Sequence, residues 1–408
     1  MKLLNINYSD YLGGSAIACN RLHKAFIENN INSWLAVCNS NYSLKNTLTF
    51  KKQQNKTLYL VKKNILRFFL KFYENKFEKD LSLSILNNPL FSEIKINEFD
   101  LINLHWIGNE TISLNQIKKI KKPIIWTLTD MWPFLGAEHL NFSDLNLPNY
   151  WNDREELLKK NLEINNYNLK RKLKYYPDDI QPVAISKWLA NIASKSIIFK
   201  NKKIKVIPCT LDFNFWKTDK FLKTKNIFFD GDKKIILFSS SAGTNDFKKG
   251  FNYLIKALKK FKSLKDIHLV VLGKMKSKEL ENINATYTEI SQNFFGNPID
   301  LMKIYSSVDL VVMPSLFEAF GQVALEAAAC NVPTVGFEKT GLEEIILHKK
   351  NGYLSEYMNS DDLYEGINWC LEDNNLKNLK KDCRYIAMQK FDNSCIINQY
   401  RELYESTL

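Results

Sequence analysis

Residues 314–333 read PSLFEAFGQVALEAAACNVP, and they follow a strand-like run, DLVVMP, that Pro314 closes. Ser315–Phe320 reads as a loop, GQVALEAAAC as a helix stopped near Asn331 and Pro333, and VPTVGF as the next strand. Strand, loop, helix, strand is the repeating unit of a parallel α/β fold. Two carboxylates, Glu318 and Glu326, stand in this small, apolar stretch. Eight helical residues would turn a side chain through about 800°, so the two need not share a helix face. Glu318 falls in the loop and Glu326 near the second helical turn. Both lie toward the carboxyl ends of strands, where open α/β sheets bind ligands. The N–H groups of Phe320–Val323 open a helix and favour phosphate. A carboxylate beside them can accept from hydroxyls. Phosphate and clustered hydroxyls together describe a nucleotide sugar.

The same unit recurs outward along the chain. KLLNINYS reads as a buried strand that runs into Tyr11 and the pair Gly13-Gly14, and SAIACNRLHKAFIENN reads as a helix. Further strands are expected at Ser33–Val37, Leu101–Leu104, Ile124–Leu128 and Val183–Ser186. Near Lys202 the pattern restarts with IKVIP and KIILFSS, a helix from Lys249, then IHLVVLG and DLVVMP. Helices over about 361–372, 376–390 and 393–407 finish the chain. The expected architecture is α/β, two Rossmann-like domains facing across a cleft. Residues 1–198 form the first, 199–388 the second, and a helix over 389–408 packs back on the first.

The totals agree with this plan. A chain of 408 residues is too long for one ordinary core. With 45% hydrophobic and 25% charged residues the composition is globular, and no apolar run is long enough for a membrane-spanning helix. The opening MKLLNINYSDYLGG is polar too early for a signal peptide. Seven scattered cysteines, none in a CxxC pair, read as reduced thiols of a cytoplasmic protein. The net charge of +13 suits phosphorylated ligands or an anionic membrane; abundant solvated lysines explain it equally well. No nucleic-acid-binding motif is present. Residues 58–81 form an amphipathic helix candidate carrying Phe68, Phe69, Phe72, Tyr73 and Phe77 beside Lys62, Lys63, Arg67, Lys71 and Lys76. It reads either as a helix packed on the sheet or as a surface that meets a membrane or a lipid-linked acceptor.

The E-x7-E spacing with its internal Phe-Gly resembles the donor-site signature of retaining GT-B glycosyltransferases of the family 4 (glycosyl transferases group 1) type. TGLEEIILHKKNGYL and FKKGF (247–251) fit it too. WTLTDMWPFLGAEH (126–139) and GGSAIACNRLHKAF (13–26) are similar to a subgroup of colanic-acid and other surface-polysaccharide transferases. The resemblance implies that Glu318, with the amides of Phe320 and Gly321, holds donor-sugar hydroxyls and that Glu326 accepts from the ribose. It places Gln322, Val323 and Ala324 where their amides meet the distal phosphate. Lys249 matches the diphosphate-binding lysine, and Gly13 and Gly14 match the glycine turn of the first domain. Asp130, Trp132 and His139 match the subgroup motif, and His105 is a further acceptor-side candidate. The implied catalytic set is Glu318, Lys249 and Asp130.

The implied reaction moves a sugar from a nucleotide-diphosphate donor to a glycan acceptor carried on a polyprenyl diphosphate, at the inner face of the cell membrane, in surface-polysaccharide synthesis. No metal or cofactor is expected, and Asp230-Gly-Asp232 reads as a turn. Two departures stand out. SSSAGTNDFKKG lacks the arginine usual before the lysine, leaving Lys248 to substitute, and Thr129 stands where the subgroup tends to carry histidine. Both favour the competing reading, a weak or inactive relative that binds a partner transferase. A sugar-nucleotide epimerase or a phosphorylase-like enzyme is a third reading that leaves WTLTDMWPF unexplained.

Overall fold

A computed structural model describes residues 1–11, 13–41, 44–50, 53–73, 81–140, 154–217, 233–275, 279–291 and 297–408. The chain divides into two compact units, residues 1–207 with 397–408, and residues 208–396.

The first unit is built on a 7-stranded sheet: β1 (Lys2–Ser9), β2 (Asn32–Asn39), β3 (Thr47–Leu48), β4 (Leu101–Leu104), β5 (Ile124–Leu128), β6 (Gln181–Ala184) and β7 (Lys205–Val206). Their order is β3-β2-β1-β4-β5-β6-β7, and each neighbouring pair is parallel. Runs such as LINL and IIWTL are buried at every position, as strands covered on both faces must be. The chain proceeds from β1 toward one edge, then returns at β4 and proceeds toward the other. That reversal opens a crevice at the carboxyl ends of β1 and β4.

The second unit repeats the plan with six strands: β8 (Lys234–Ser239), β9 (Ile267–Leu272), β10 (Thr286–Ile290), β11 (Leu310–Met313), β12 (Thr334–Phe337) and β13 (Gly352–Ser355). The order β10-β9-β8-β11-β12-β13 is again parallel throughout and places the reversal between β8 and β11. The Gln322–Ala329 helix lies against this sheet through alanines: Ala324, Ala327, Ala328 and Ala329 are buried. Short side chains let its backbone approach β11 and β12 closely.

The final helix, Asn393–Thr407, begins in the second unit, and its residues from Ile397 onward belong to the first. Tyr404 accepts a hydrogen bond at its hydroxyl from Asn103 Nδ2 at 3.0 Å, Tyr400 meets Thr127 Oγ1 at 3.2 Å, and both rings lie on Phe26.

The structure shifts several elements read from sequence. IKVIP supplies β7, which pairs with β6 and so closes the first sheet instead of opening the second. β6 stops at Ala184 because Ser186 is recruited as a helix cap, its hydroxyl accepting from Leu189 N at 3.1 Å. β10 and β13 escaped notice: TYTEI is half-exposed with mixed polarity, and GYLS is only four residues long. The 58–81 helix is displaced toward the N-terminus, spanning Gln53–Leu70, with Phe72 and Tyr73 in the turn that follows. Lys76, Phe77 and the Asp230-Gly-Asp232 turn lie outside the described residues.

Candidate functional site

Each unit gathers polar side chains at its own reversal point. In the second, the β8 loop and the β11 loop are pressed together by a glycine. Gly250 adopts φ +66°, and a Cβ there would sit 1.9 Å from the Pro314 carbonyl oxygen. Leu316 N donates to Lys248 O at 2.8 Å across the same contact. That approach brings Lys249, in the 3₁₀ turn Phe247–Lys249, onto Glu318: Nζ to Oε2 is 2.9 Å. Burial alone would lower the Lys249 pKa, but the charge and hydrogen bond of Glu318, with the charge of Asp246, outweigh it and hold it above the ordinary lysine value. The site therefore keeps a fixed cation at neutral pH. Both side chains remain partly open, 30% for Lys249 and 16% for Glu318. Among the described residues Lys248 reaches Asp246, at 4.0 Å.

Beyond Glu318 the loop is pinned by Gly341 N, which donates to Glu318 O at 2.7 Å. Phe320 turns its ring into the core, 2% exposed and edge-on to Phe391. Gly321, at φ +108°, then starts the Gln322–Ala329 helix. Gln322, Val323 and Ala324 occupy its first turn, whose N–H groups have no intrahelical acceptor. Glu326 sits one turn on and is only 4% exposed, its Oε2 accepting from the Tyr305 hydroxyl at 2.9 Å.

In the first unit, β1 delivers Gly13 and Gly14 to the start of the Gly13–Glu28 helix, where both are exposed and a Cβ on either would meet nothing within 4 Å. Thr129, at the end of β5, donates to Ser15 Oγ at 3.1 Å beside them. Asp130 is the hub. Its Oδ2 accepts from Trp106 Nε1 and binds His139 Nδ1, each at 2.6 Å, and its Oδ1 accepts from Trp132 N at 3.1 Å. The other ring nitrogen of His139 meets Ser82 Oγ at 2.9 Å, and the imidazole stacks on Trp106 with centroids 5.2 Å apart. The order Ser82, His139, Asp130 has the outline of a nucleophilic triad. Ser82 is only 2% exposed, however, and its oxygen already accepts from Asn109 N at 2.8 Å, so it braces the histidine instead of attacking anything.

Two of the expected acceptor-side residues do not present themselves to a ligand. His105 is 3% exposed with Nε2 on Asn5 Oδ1 at 3.0 Å, and burial, helped by the charge of His23, lowers its pKa to about 3. It is a neutral core histidine. Trp132 is also buried, donating to Ser82 O at 2.8 Å. Its ring lies 3.6 Å from Lys172 Nζ, and Lys172 is wholly buried. That ammonium donates to the carbonyls of Trp132, Leu135 and Gly136, which fastens the loop carrying Asp130 and His139. Asn165 adds two contacts, accepting from Ala137 N at 2.8 Å and Glu138 N at 3.2 Å. Neither Lys172 nor Asn165 had a sequence signal, because the Arg154–Tyr175 helix is rich in polar residues and shows no motif. Glu110 was equally silent. It is 3% exposed and accepts amide hydrogens from Leu83, Ser84, Ile85 and Leu86 at 2.7–3.2 Å, while burial pushes its carboxyl pKa up against them.

Comparison with known proteins shows what the chain is similar to. Residues 219–390 match the sequence profile of the family described as glycosyl transferases group 1. An uncharacterised glycosyltransferase of Methanocaldococcus jannaschii is 32% identical over 219 residues, 50% of this chain and 55% of that protein. The lipopolysaccharide 1,2-N-acetylglucosaminetransferase of Salmonella typhimurium is 27% identical over 42% of this chain and 48% of its own length. The chain thus spans about half the length of these curated relatives. Among solved structures, Anabaena HepE, crystallised with UDP and glucose, aligns over 100% of both chains with TM-score 0.68 at 18% identity, a likeness of fold.

Proposed function

Starting from the match of residues 219–390 to the glycosyl transferases group 1 profile, we propose that the whole chain is a retaining glycosyltransferase of that family. Its donor is a nucleotide-diphosphate sugar and its acceptor a glycan, carried on a polyprenyl diphosphate, in surface-polysaccharide synthesis. The observation that carries this reading is the Lys249–Glu318 pair at the β8/β11 reversal point, next to the first turn of the Gln322–Ala329 helix.

A diphosphate there would meet the Lys249 ammonium and the first-turn amides of Gln322, Val323 and Ala324. Glu318 fixes that ammonium through Oε2 and can offer Oε1 to hydroxyls of the donor sugar. Glu326 would accept from the ribose by sharing or replacing its bond to Tyr305. In retaining transfer the acceptor hydroxyl attacks the sugar face that the nucleotide leaves, and the departing phosphate oxygen takes the acceptor's proton. The protein's part is to orient the pair and stabilise the charge that grows on the diphosphate. Lys249 supplies the opposing positive charge directly, so the reading requires no metal. Asp130 and His139 act on the acceptor side, held by Ser82 and Trp106.

The test is incubation of the full chain with a panel of nucleotide-diphosphate sugars and a polyprenyl-diphosphate oligosaccharide in the presence of EDTA. Expected are release of nucleoside diphosphate and a product whose anomeric configuration, by NMR, matches the donor. Inverted product would refute retention, and activity restored only by a divalent ion would refute metal independence. A second reading, an inactive relative, draws on Thr129, whose hydroxyl is committed to Ser15 where an imidazole would face the donor. Binding of a donor without turnover for any acceptor would favour it.

A further inference from the structure

The Gln53–Leu70 helix has two apolar faces, and only one of them is used by the fold. The inner face carries Tyr59, Lys63 and Leu70, which are 4%, 5% and 4% exposed. Tyr59 donates its hydroxyl hydrogen to Glu110 O, Lys63 Nζ lies 4.7 Å above the Tyr8 ring, and Leu70 packs with Leu81, Leu83 and Ala137. The opposite face carries Leu58, Val61, Ile65, Phe68, Phe69 and, in the turn beyond, Phe72. Every one of these six is at least half exposed. Their spacing of three and four residues makes a continuous stripe, and the three phenylalanine rings cluster with centroids 5.6–6.0 Å apart.

We propose that this outer face is a docking surface for an anionic lipid bilayer, lying in the headgroup plane with its apolar stripe inserted. Isolated exposed apolar residues are ordinary, but six in one stripe on one helix are not. The charge pattern selects the partner. Between residues 53 and 73 the chain has Lys56, Lys62, Lys63, Arg67 and Lys71 and no carboxylate. Lys62 and Arg67 are exposed on the same helix and Lys71 in the turn beyond it, and cations bordering an apolar stripe are what anionic headgroups over acyl chains complement. A self-associating face would gain nothing from such one-signed charge, since two copies would repel.

The placement gives the surface a use. Tyr8, beneath Lys63, packs edge-on to Trp106 with centroids 5.7 Å apart, and Trp106 donates to Asp130. The bilayer face and the Asp130–His139 cluster are therefore neighbours within the first unit, joined through two aromatic rings. The inference stands independently of the transfer reading, because it rests on the helix alone.

The test is co-sedimentation of the full chain with vesicles of phosphatidylcholine containing about 30% phosphatidylglycerol, and with pure phosphatidylcholine. The wild type is expected to pellet with the mixed vesicles and to stay largely soluble with the neutral ones. Phe68→Ser with Phe69→Ser should weaken binding by about tenfold or more at an unchanged unfolding midpoint, since both rings are exposed. Lys62→Glu with Lys71→Glu, which keeps the stripe, should abolish the preference for phosphatidylglycerol. A wild type that ignores both vesicle types would overturn the proposal, as would a Phe68/Phe69 double variant that binds normally. So would a dimer in sedimentation velocity that the serine variant dissolves, which would assign the face to a second copy of the chain.

Discussion

The carboxyl-end loops of the two sheets solve the same problem in opposite ways. In the second unit, one cation and one carboxylate hold each other at 2.9 Å, both partly open to solvent, beside the first turn of a helix. In the first, Asp130, His139, Trp106 and Ser82 satisfy one another, and a buried lysine fastens their loop from behind. One cluster keeps a charged pair partly open to solvent, and the other is closed on itself. Under the proposed reading, a site that receives a diphosphate needs an accessible cation, and a site that orients a hydroxyl needs rigidity more than charge.

The sharpest way to break this contrast is at Lys249. Lys249→Ala should lower kcat by about 10²–10³-fold, the usual effect of removing one preorganised charge, while circular dichroism stays unchanged. A variant at wild-type rate would remove the second unit's claim to the chemistry. Next in size is Asp130→Ala, which strands His139 Nδ1 and Trp106 Nε1. It should cost about 1–3 kcal/mol in urea unfolding and lower turnover by about tenfold or more. Loss of activity with no loss of stability would mean that the first cluster is not the self-supporting network described.

A third experiment separates packing from binding at Glu326. Glu326→Ala should weaken donor affinity by about tenfold, whereas Tyr305→Phe should cost only about 1 kcal/mol of stability and leave affinity nearly intact. If the two variants bind donor equally well, Glu326 serves Tyr305 alone. The last experiment changes no binding group and concerns His105. Its pKa is about 3 in the fold against 6.5 in the open, so between those values the unfolded chain binds a proton that the native chain does not. Stability should therefore fall as pH drops through this window, by about 1.4 kcal/mol per unit from this group. His105→Gln should make the measured slope between pH 6 and 4 shallower by about that amount, and parallel slopes would contradict the buried neutral histidine.

The contrast also explains what the sequence disclosed. The Lys249–Glu318 cluster is compact along the chain: Glu318 to Glu326 is one loop and one helix, and FKKGF is one 3₁₀ turn running into a helix. Its spacing, taken with FKKGF and the family resemblance, could therefore be read, and the alternation of apolar runs with helices revealed most strands of both parallel sheets. The acceptor-side cluster is assembled from residues 82, 106, 130, 139, 165 and 172, which only tertiary packing brings together. His105 and Trp132 carried the right chemistry for a pocket, but a neutral imidazole beside Asn5 and an indole under Lys172 are worth more to the core. Nothing in a linear pattern distinguishes those outcomes. The outer face of the Gln53–Leu70 helix was visible as amphipathic spacing; which of its two apolar faces the fold would bury was not.

Hydrogen–deuterium exchange of the full chain, with and without nucleotide-diphosphate sugars, tests the donor grip most directly. Bound donor should slow exchange in peptides spanning 247–250 and 320–324, and Lys249→Ala should erase that protection. Donor binding that leaves both peptides exchanging at their free rates would put the diphosphate somewhere else.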